Sequence, residues 1–193
     1  MPLELVNVVA TVGTFIVIAA SAIAALVQLR HMRSSNQIIA LTEFRETMES
    51  REFSEAQRFV SYELPKRVLD PEERRKMTTL PFSGDYERIA AIANAFESLG
   101  EFVRLGIIDR DTACDMWSYV VLRNWNALAP LTTYLRHNLQ APQLWENFEY
   151  LAVISKQYMH DHPRGSFPPD VPRMPEDRSL LDTFGGAQSS PRI

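Results

Sequence analysis

The chain has 193 residues, which is enough for one folded domain and little more. Its formal net charge is −4, and its largest basic run, residues 74–76, directly follows Glu72 and Glu73. This charge pattern argues against nucleic-acid binding, which usually needs a basic face. The single cysteine, Cys114, cannot form an internal disulfide, so the composition favours a reducing compartment and removes any cysteine-based zinc site.

The N-terminal part of the chain is apolar, and no residue from Leu5 to Leu29 carries a charge. As an α-helix these residues extend about 37 Å, whereas the hydrocarbon core of a bilayer is about 30 Å thick. The segment therefore predicts a transmembrane helix over residues 5–29, after a short extracytoplasmic N-terminus of residues 1–4. A cleaved signal peptide is a weaker interpretation because the first residues lack Lys and Arg and the apolar run is too long. A buried helix of a soluble domain is weaker still, since such a helix rarely lacks charge for seven turns.

Charged residues flanking this segment predict its orientation. Arg30 and Arg33 follow the span, whereas Glu4 opposes the α-amino group that precedes it. The positive-inside rule places the N-terminus outside and the C-terminal part in the cytoplasm. The small-residue pairs Ala20/Ala24 and Ser21/Ala25 would permit self-association through the span, although such pairs arise often by chance.

Helical spacing of apolar residues dominates the rest of the folded chain. A juxtamembrane helix is predicted over residues 30–62, continuing from the span and ending before Pro65, with a fresh start after a break at Ser50 or Phe53 as the alternative. A short helix should begin at Asp70-Pro71, because Asp caps helices and Pro suits the first helical position.

A small cytoplasmic helical bundle is predicted over residues 63–162. Its next helix should run from about residue 85 to Gly106, and the one after it should begin at Asp109 or Asp111. Pro130 should kink or split that helix. Pro142 should begin the last helix, which ends near residue 162. Residues 163–193 are rich in proline and predict a disordered tail, with one small apolar island at residues 179–184.

Common catalytic, cofactor and metal motifs are missing from the sequence. It has no Gly-rich phosphate loop and no Gly-x-Ser-x-Gly. His160-Asp161-His162 looks metal-like but lies at a helix end beside the proline-rich tail, without a convergent third ligand. Asp111 and Asp115 would not favour a thiolate at Cys114. The sequence therefore predicts no catalytic residue, no metal and no cofactor. Whether the protein is an enzyme stays open, with a non-enzymatic role favoured.

The most informative polar residues lie on or near the apolar stripes. They are Asn94, Glu97, Arg123, Arg136 and Glu149. One hypothesis is a network that specifies helix register, and the other is a polar pocket for a ligand or for acid-base chemistry. The first is favoured, with Glu97 paired to Arg136 or Arg123 beside a shared aromatic core of Phe96, Trp117, Trp125 and Phe148.

Several short motifs are similar to those of an uncharacterised bacterial family of single-span membrane proteins whose helical cytoplasmic domain has no known function. These motifs are Glu43-Phe44, residues 51–53, residues 94–100, residues 106–109, Trp125, Leu135-Arg136 and residues 145–151. The resemblance covers roughly residues 36–160. It implies an all-α architecture in a bacterial inner membrane, and it implies no reaction, cofactor or catalytic residue.

Two functional hypotheses follow from the sequence. The leading one is a membrane-anchored interaction or scaffold protein whose partners are the lipid bilayer and either another protein or a second copy bound through the span. The alternative is a membrane-tethered enzyme or ligand sensor that uses the polar residues of the bundle. Paired polar residues would favour the first hypothesis, and convergence on an open cleft would favour the second.

Overall fold

The computed structural model describes residues 3–79 and 83–175, and no strand occurs among them. The described chain forms seven α-helices: α1 (Leu3–Glu49), α2 (Arg51–Arg58), α3 (Leu64–Arg67), α4 (Pro71–Thr78), α5 (Gly84–Arg104), α6 (Arg110–Leu139) and α7 (Glu146–Asp161). The predicted all-α fold is confirmed. The helices belong to one compact unit that ends at Pro163, and the described residues from Arg164 onward belong to a second unit.

Helix α1 runs without interruption for 47 residues. Within it, Thr11–Leu29 is long and apolar enough to cross a membrane, and none of this stretch is buried against the rest of the described chain. Phe15 is 72% exposed and Ile23 is 63% exposed. This stretch is therefore not a core helix of the bundle, which removes the buried-helix interpretation.

The last part of α1 belongs to the core of the bundle. Ala40 and Phe44 are buried, and the Phe44 ring lies 4.8 Å from the Trp117 ring. Helix α1 ends before Ser50, whose Oγ accepts a hydrogen bond from the backbone N–H of Phe53 and caps α2. Of the two alternative breaks, at Ser50 and at Phe53, the structure contains the one at Ser50. The hydrophobic core extends across residue 62, where the predicted juxtamembrane helix and the predicted bundle meet, because it already includes residues from Ala40 onward.

The prediction that the juxtamembrane helix ends before Pro65 is wrong. Helix α2 passes into a π-helical turn, Phe59–Glu63, and α3 continues with Pro65 inside it. The backbone N–H of Leu64 donates to the carbonyl of Phe59, five residues earlier. In a regular α-helix the proline ring would clash with the carbonyl four residues before it, and the wider π turn changes the backbone geometry where that contact would occur.

The remaining helices are joined by short connections, and several begin or end at the residues that the sequence predicts. Asp70 accepts two backbone N–H hydrogen bonds in the first turn of α4, and Asp109 accepts one in the first turn of α6. Gly106 follows α5 with a φ of 69°, and the N–H of Ile107 returns to the carbonyl of Phe102 at 2.9 Å. Helices α5 and α6 are therefore joined by the short turn that Gly106 and Asp109 predict.

Pro130 lies inside α6 and does not split it. The missing N–H of Pro130 leaves the carbonyl of Asn126 without its usual helical partner. Both residues are on the exposed side of the helix, where water can supply that hydrogen bond.

The core is built around aromatic side chains from four helices. The Phe96 and Phe148 rings stack with their centroids 5.0 Å apart. The Trp125 ring meets the Phe148 ring edge-on, with a centroid distance of 5.1 Å. Phe44 of α1 joins this group by contacting both Phe96 and Trp117. The predicted aromatic cluster is confirmed, except that Trp125 is only partly buried.

The second unit is described only as far as residue 175, and residues 164–175 form no helix or strand. The predicted tail begins one residue before this unit. Its apolar island, residues 179–184, lies outside the described residues.

Candidate functional site

The candidate polar residues meet mainly where α7 begins. The prediction that α7 starts at Pro142 is wrong, because residues 142–145 form a turn and the helix starts at Glu146. Its N-cap residue, Trp145, has a left-handed conformation (φ 55°) and supplies no side-chain hydrogen bond to the helix. The first N–H groups of α7 consequently need acceptors from elsewhere in the protein.

Glu97 of α5 supplies one of these acceptors. Its Oε2 accepts a hydrogen bond of 2.8 Å from the backbone N–H of Phe148, and its Oε1 accepts one of 2.7 Å from Nδ2 of Asn147. A carboxylate is also favoured at a helix N-terminus by the helix dipole. Glu97 therefore caps α7 from a neighbouring helix.

Asn94, one turn earlier on α5, holds the cap residue itself. Its Oδ1 accepts a hydrogen bond of 3.0 Å from Nε1 of Trp145. The Trp145 side chain is buried, although its backbone is in a conformation that costs a residue with a bulky side chain on the order of 1–3 kcal/mol. Burial of the indole and its hydrogen bond to Asn94 offset this cost.

Close contact between α5 and α7 depends on Gly100. A Cβ atom at this position would overlap the backbone carbonyl oxygen of Asn147 and would lie 2.6 Å from the carbonyl carbon. Arg104, one turn later, donates from Nε to Oδ1 of Asn147 at 2.8 Å. Asn147 thus lies among three α5 residues: Glu97, Gly100 and Arg104.

Arg136 and Glu149 form a separate contact between α6 and α7. Nη1 of Arg136 lies 2.6 Å from Oε2 of Glu149, and its Nε donates to the carbonyl of Leu144 at 2.8 Å. The Arg136 side chain is 21% exposed. This pair joins the end of α6 to the loop before α7 and to the first turn of α7.

Arg123 lies apart from the other candidates. Its Nη2 donates to the hydroxyl of Tyr62 at 3.1 Å, and its guanidinium lies over the Tyr62 ring. Arg123 therefore connects α6 to the π-helical turn rather than to α7.

The predicted pairing of Glu97 with Arg136 or Arg123 is wrong. Glu97 bonds to the start of α7, and each arginine has a different partner. The physical reason is that α7 lacks a cap of its own and takes a carboxylate of α5.

The sequence did not lead to three further residues of this contact, which are Asn147, Gly100 and Arg104. Gly100 could have been found, because a glycine within an apolar helical stripe costs about 1 kcal/mol relative to alanine and so indicates a close backbone approach.

An open groove of about 360 Å³ lies between α1 and α5. Asn94 lines this groove together with exposed polar residues of both helices and with apolar residues of the core edge. The lining residues are Ala40, Glu43, Phe44, Thr47, Ala91, Asn94, Ala95, Ser98 and Phe102. Of the five candidate residues, only Asn94 lines it.

The metal-like residues and the cysteine have ordinary structural contacts. The His162 ring stacks on Tyr158, and Asp161 accepts hydrogen bonds from Gln157. Within residues 3–79 and 83–175, no group of three or more His, Cys, Asp or Glu side chains is placed to hold a metal ion. Burial raises the pKa of the Cys114 thiol, which keeps it protonated.

The sequence was compared with protein families, curated proteins and solved structures. Residues 15–154 match a domain of unknown function, DUF4760. The chain belongs to this family. The match begins inside the apolar stretch of α1 and ends within α7, so the DUF4760 region includes Glu97, Gly100 and Asn147. No curated protein matches the chain, and no solved structure does.

Proposed function

We propose that this DUF4760 protein is a single-span, membrane-anchored helical interaction protein of a bacterial cell membrane. Its bundle lies on the cytoplasmic side and binds a protein partner in the groove between α1 and α5. The observation that supports this proposal most strongly is the continuity of α1. One helix carries an unburied apolar stretch at Thr11–Leu29 and then enters the core at Ala40 and Phe44.

The unburied part of α1 needs an apolar environment. Phe15, Ile16, Ile23 and Leu26 are each at least 60% exposed. Apolar surface in water costs about 25 cal/mol per Å², and monomeric soluble proteins rarely expose patches of this extent. A bilayer supplies that environment, and Arg30 and Arg33 after the span favour a cytoplasmic bundle.

The groove is the surface on which the binding role is proposed. It combines the exposed polar groups of Glu43, Thr47, Asn94 and Ser98 with core-edge residues such as Phe102. An apolar floor with a polar rim is typical of a surface that binds another helix or an extended segment. Because α1 forms one wall, a partner bound there is held close to the membrane.

The enzyme or sensor alternative receives less support from the contacts. Glu97, Arg136 and Glu149 are bonded to other parts of the protein, and Arg123 lies apart from them. Acid-base chemistry or ligand binding would need these groups to converge on one open cleft. Their contacts instead hold helices together.

Site-specific photo-crosslinking in cells tests the proposal. A photoreactive residue is placed at Thr47 or Ser98 in the groove, and at Val153, an exposed α7 position outside the groove, as the control. The expected result is one discrete protein adduct at both groove positions and none at Val153. The proposal fails if the groove positions give no adduct, or if all three positions give the same pattern.

Two differently tagged copies of the chain, expressed together, identify a self-adduct. If the groove adduct contains both tags, the partner is a second copy. If no adduct forms and Glu97→Gln abolishes a cellular phenotype without changing thermal stability, the enzyme or sensor alternative is supported instead.

A further inference from the structure

The turn between α5 and α6 exposes two apolar side chains next to each other. Leu105 is 57% exposed and Ile107 is 39% exposed, whereas the following residue, Ile108, is fully buried. Gly106 between them has a left-handed backbone, which produces the tight turn. The turn is thus anchored in the core by Ile108 while its tip presents leucine and isoleucine outward.

The position of this turn follows from its neighbours on α1. Asn36 of α1 and residues 105–107 line one cavity of about 400 Å³. Farther from the span, the rings of Phe44 and Phe96 lie 5.9 Å apart. Helix α5 therefore runs antiparallel to α1, and the turn at its end points back along α1 toward the apolar stretch.

The turn lies close to the level at which a membrane surface would be found. Asn36 is seven residues after Leu29, so the two are separated by about 10 Å along the helix axis. The headgroup layer on each side of a bilayer is about 5–8 Å thick. The remaining distance is about 2–5 Å, which is within the length of a leucine or isoleucine side chain.

We propose that the tip of the α5–α6 turn, Leu105 and Ile107, rests in the interfacial layer of the same bilayer that α1 crosses. The bundle would then have two membrane contacts, one through the span and one through this turn, which fixes its tilt relative to the membrane. This inference depends on the membrane anchoring proposed above.

The chemistry of the flanking residues indicates which lipids the turn would bind. Arg104 and Arg110 flank the turn, and they are balanced by Asp109 and Asp111. The turn segment itself has no net charge, so its own contact is apolar and does not require anionic lipid. It should therefore persist in a zwitterionic bilayer and at high salt.

A fluorescence experiment on the full chain in phosphatidylcholine nanodiscs tests this inference. The only cysteine is replaced (Cys114→Ala), and one new cysteine carries an environment-sensitive fluorophore at Leu105→Cys or Ile107→Cys. The matched control is Leu69→Cys, since Leu69 is 76% exposed and lies two residues after Arg67, which bonds to Asp85 at the opposite end of α5. Val17→Cys, within the apolar stretch, reports on the span itself.

Headgroup-proximal spin-labelled lipids should quench the labels at residues 105 and 107 at least about twofold more than the label at residue 69, because only the first two reach the interface. A soluble quencher should show the reverse order. Lipids that carry the spin label deep in the acyl chain should quench the label at residue 17. The inference is overturned if residues 105 and 107 behave like residue 69 while residue 17 is quenched by these acyl-chain labels, and in that case the anchoring proposal stands. If the acyl-chain labels do not quench residue 17, the anchoring proposal itself fails.

Discussion

Glu97 on α5 accepts the hydrogen bond from the backbone N–H of Phe148, at the position of α7 that an N-cap side chain normally satisfies. The first turn of α7 is therefore held by a residue about 50 positions earlier in the chain. This relationship makes the start of α7 a tertiary feature, and its strength depends on how α5 and α7 pack.

Removing this cap should destabilise the domain. Glu97→Ala leaves the N–H of Phe148 without its partner and should cost about 1–2 kcal/mol of unfolding free energy. Thermal unfolding followed by circular dichroism measures the change. Glu101→Ala is the matched control, because Glu101 is an exposed acidic residue one turn later on the same helix, and it should be nearly neutral. Equal effects of the two substitutions would contradict the capping role.

The Arg136–Glu149 pair should show energetic coupling, and the Glu97–Arg136 pair should show none. Glu149 is 46% exposed, so the coupling should be only about 0.5–1 kcal/mol. Double-mutant cycles with Arg136→Met combined with Glu149→Gln or with Glu97→Gln measure both quantities. Arg136→Met alone should cost more than the coupling energy, because Nε also bonds to the carbonyl of Leu144. Coupling between Glu97 and Arg136 but not between Arg136 and Glu149 would refute this arrangement.

Local signals in the sequence were sufficient to predict much of the fold. Asp70, Gly106 and Asp109 act through backbone groups a few residues away, so their positions alone predict where helices begin or end. Apolar spacing likewise identified the core faces, because burial of one helical stripe does not depend on which neighbour covers it.

The contacts of the candidate site were harder to predict from the sequence, for a physical reason. Pro142 carries a typical helix-start signal, but the buried indole of Trp145 and the carboxylate of Glu97 move the start of α7 to Glu146. Which polar side chains meet depends on the register between α5 and α7. That register is set by the close contact at Gly100, which a single helix does not reveal.

Orientation in the membrane should depend on the two arginines that follow the span. A fluorescent protein that folds only in the cytoplasm should be active when fused to the C-terminus, and a phosphatase active only outside the cytoplasm should be inactive there. Changing Arg30 and Arg33 to Glu removes the positive-inside signal and should raise the phosphatase signal. Changing Arg74 and Arg75 to Glu alters net charge equally within α4 and should leave the orientation unchanged. Phosphatase activity in the unmodified protein would overturn the predicted orientation.

Gly100→Ala should be among the most damaging single-methyl substitutions in the bundle. The added Cβ would overlap the backbone carbonyl of Asn147, and a backbone atom cannot move aside by a change of rotamer. Helices α5 and α7 would have to separate, which should weaken the cap at Glu97 and the Phe96–Phe148 stacking together. The expected loss of unfolding free energy is about 1–3 kcal/mol or more, measured by denaturant or thermal unfolding of the full chain in detergent.

Two further variants make the Gly100 test specific. Gly84→Ala adds the same methyl group at the first residue of α5, where nothing lies within 4 Å of the new Cβ, and it should be neutral or slightly stabilising. Asn147→Ala combined with Gly100→Ala should not restore stability, because the obstructing atoms belong to the backbone of residue 147. If Gly100→Ala is as stable as Gly84→Ala, or if truncating Asn147 restores stability, α5 and α7 do not meet through the backbone at Gly100.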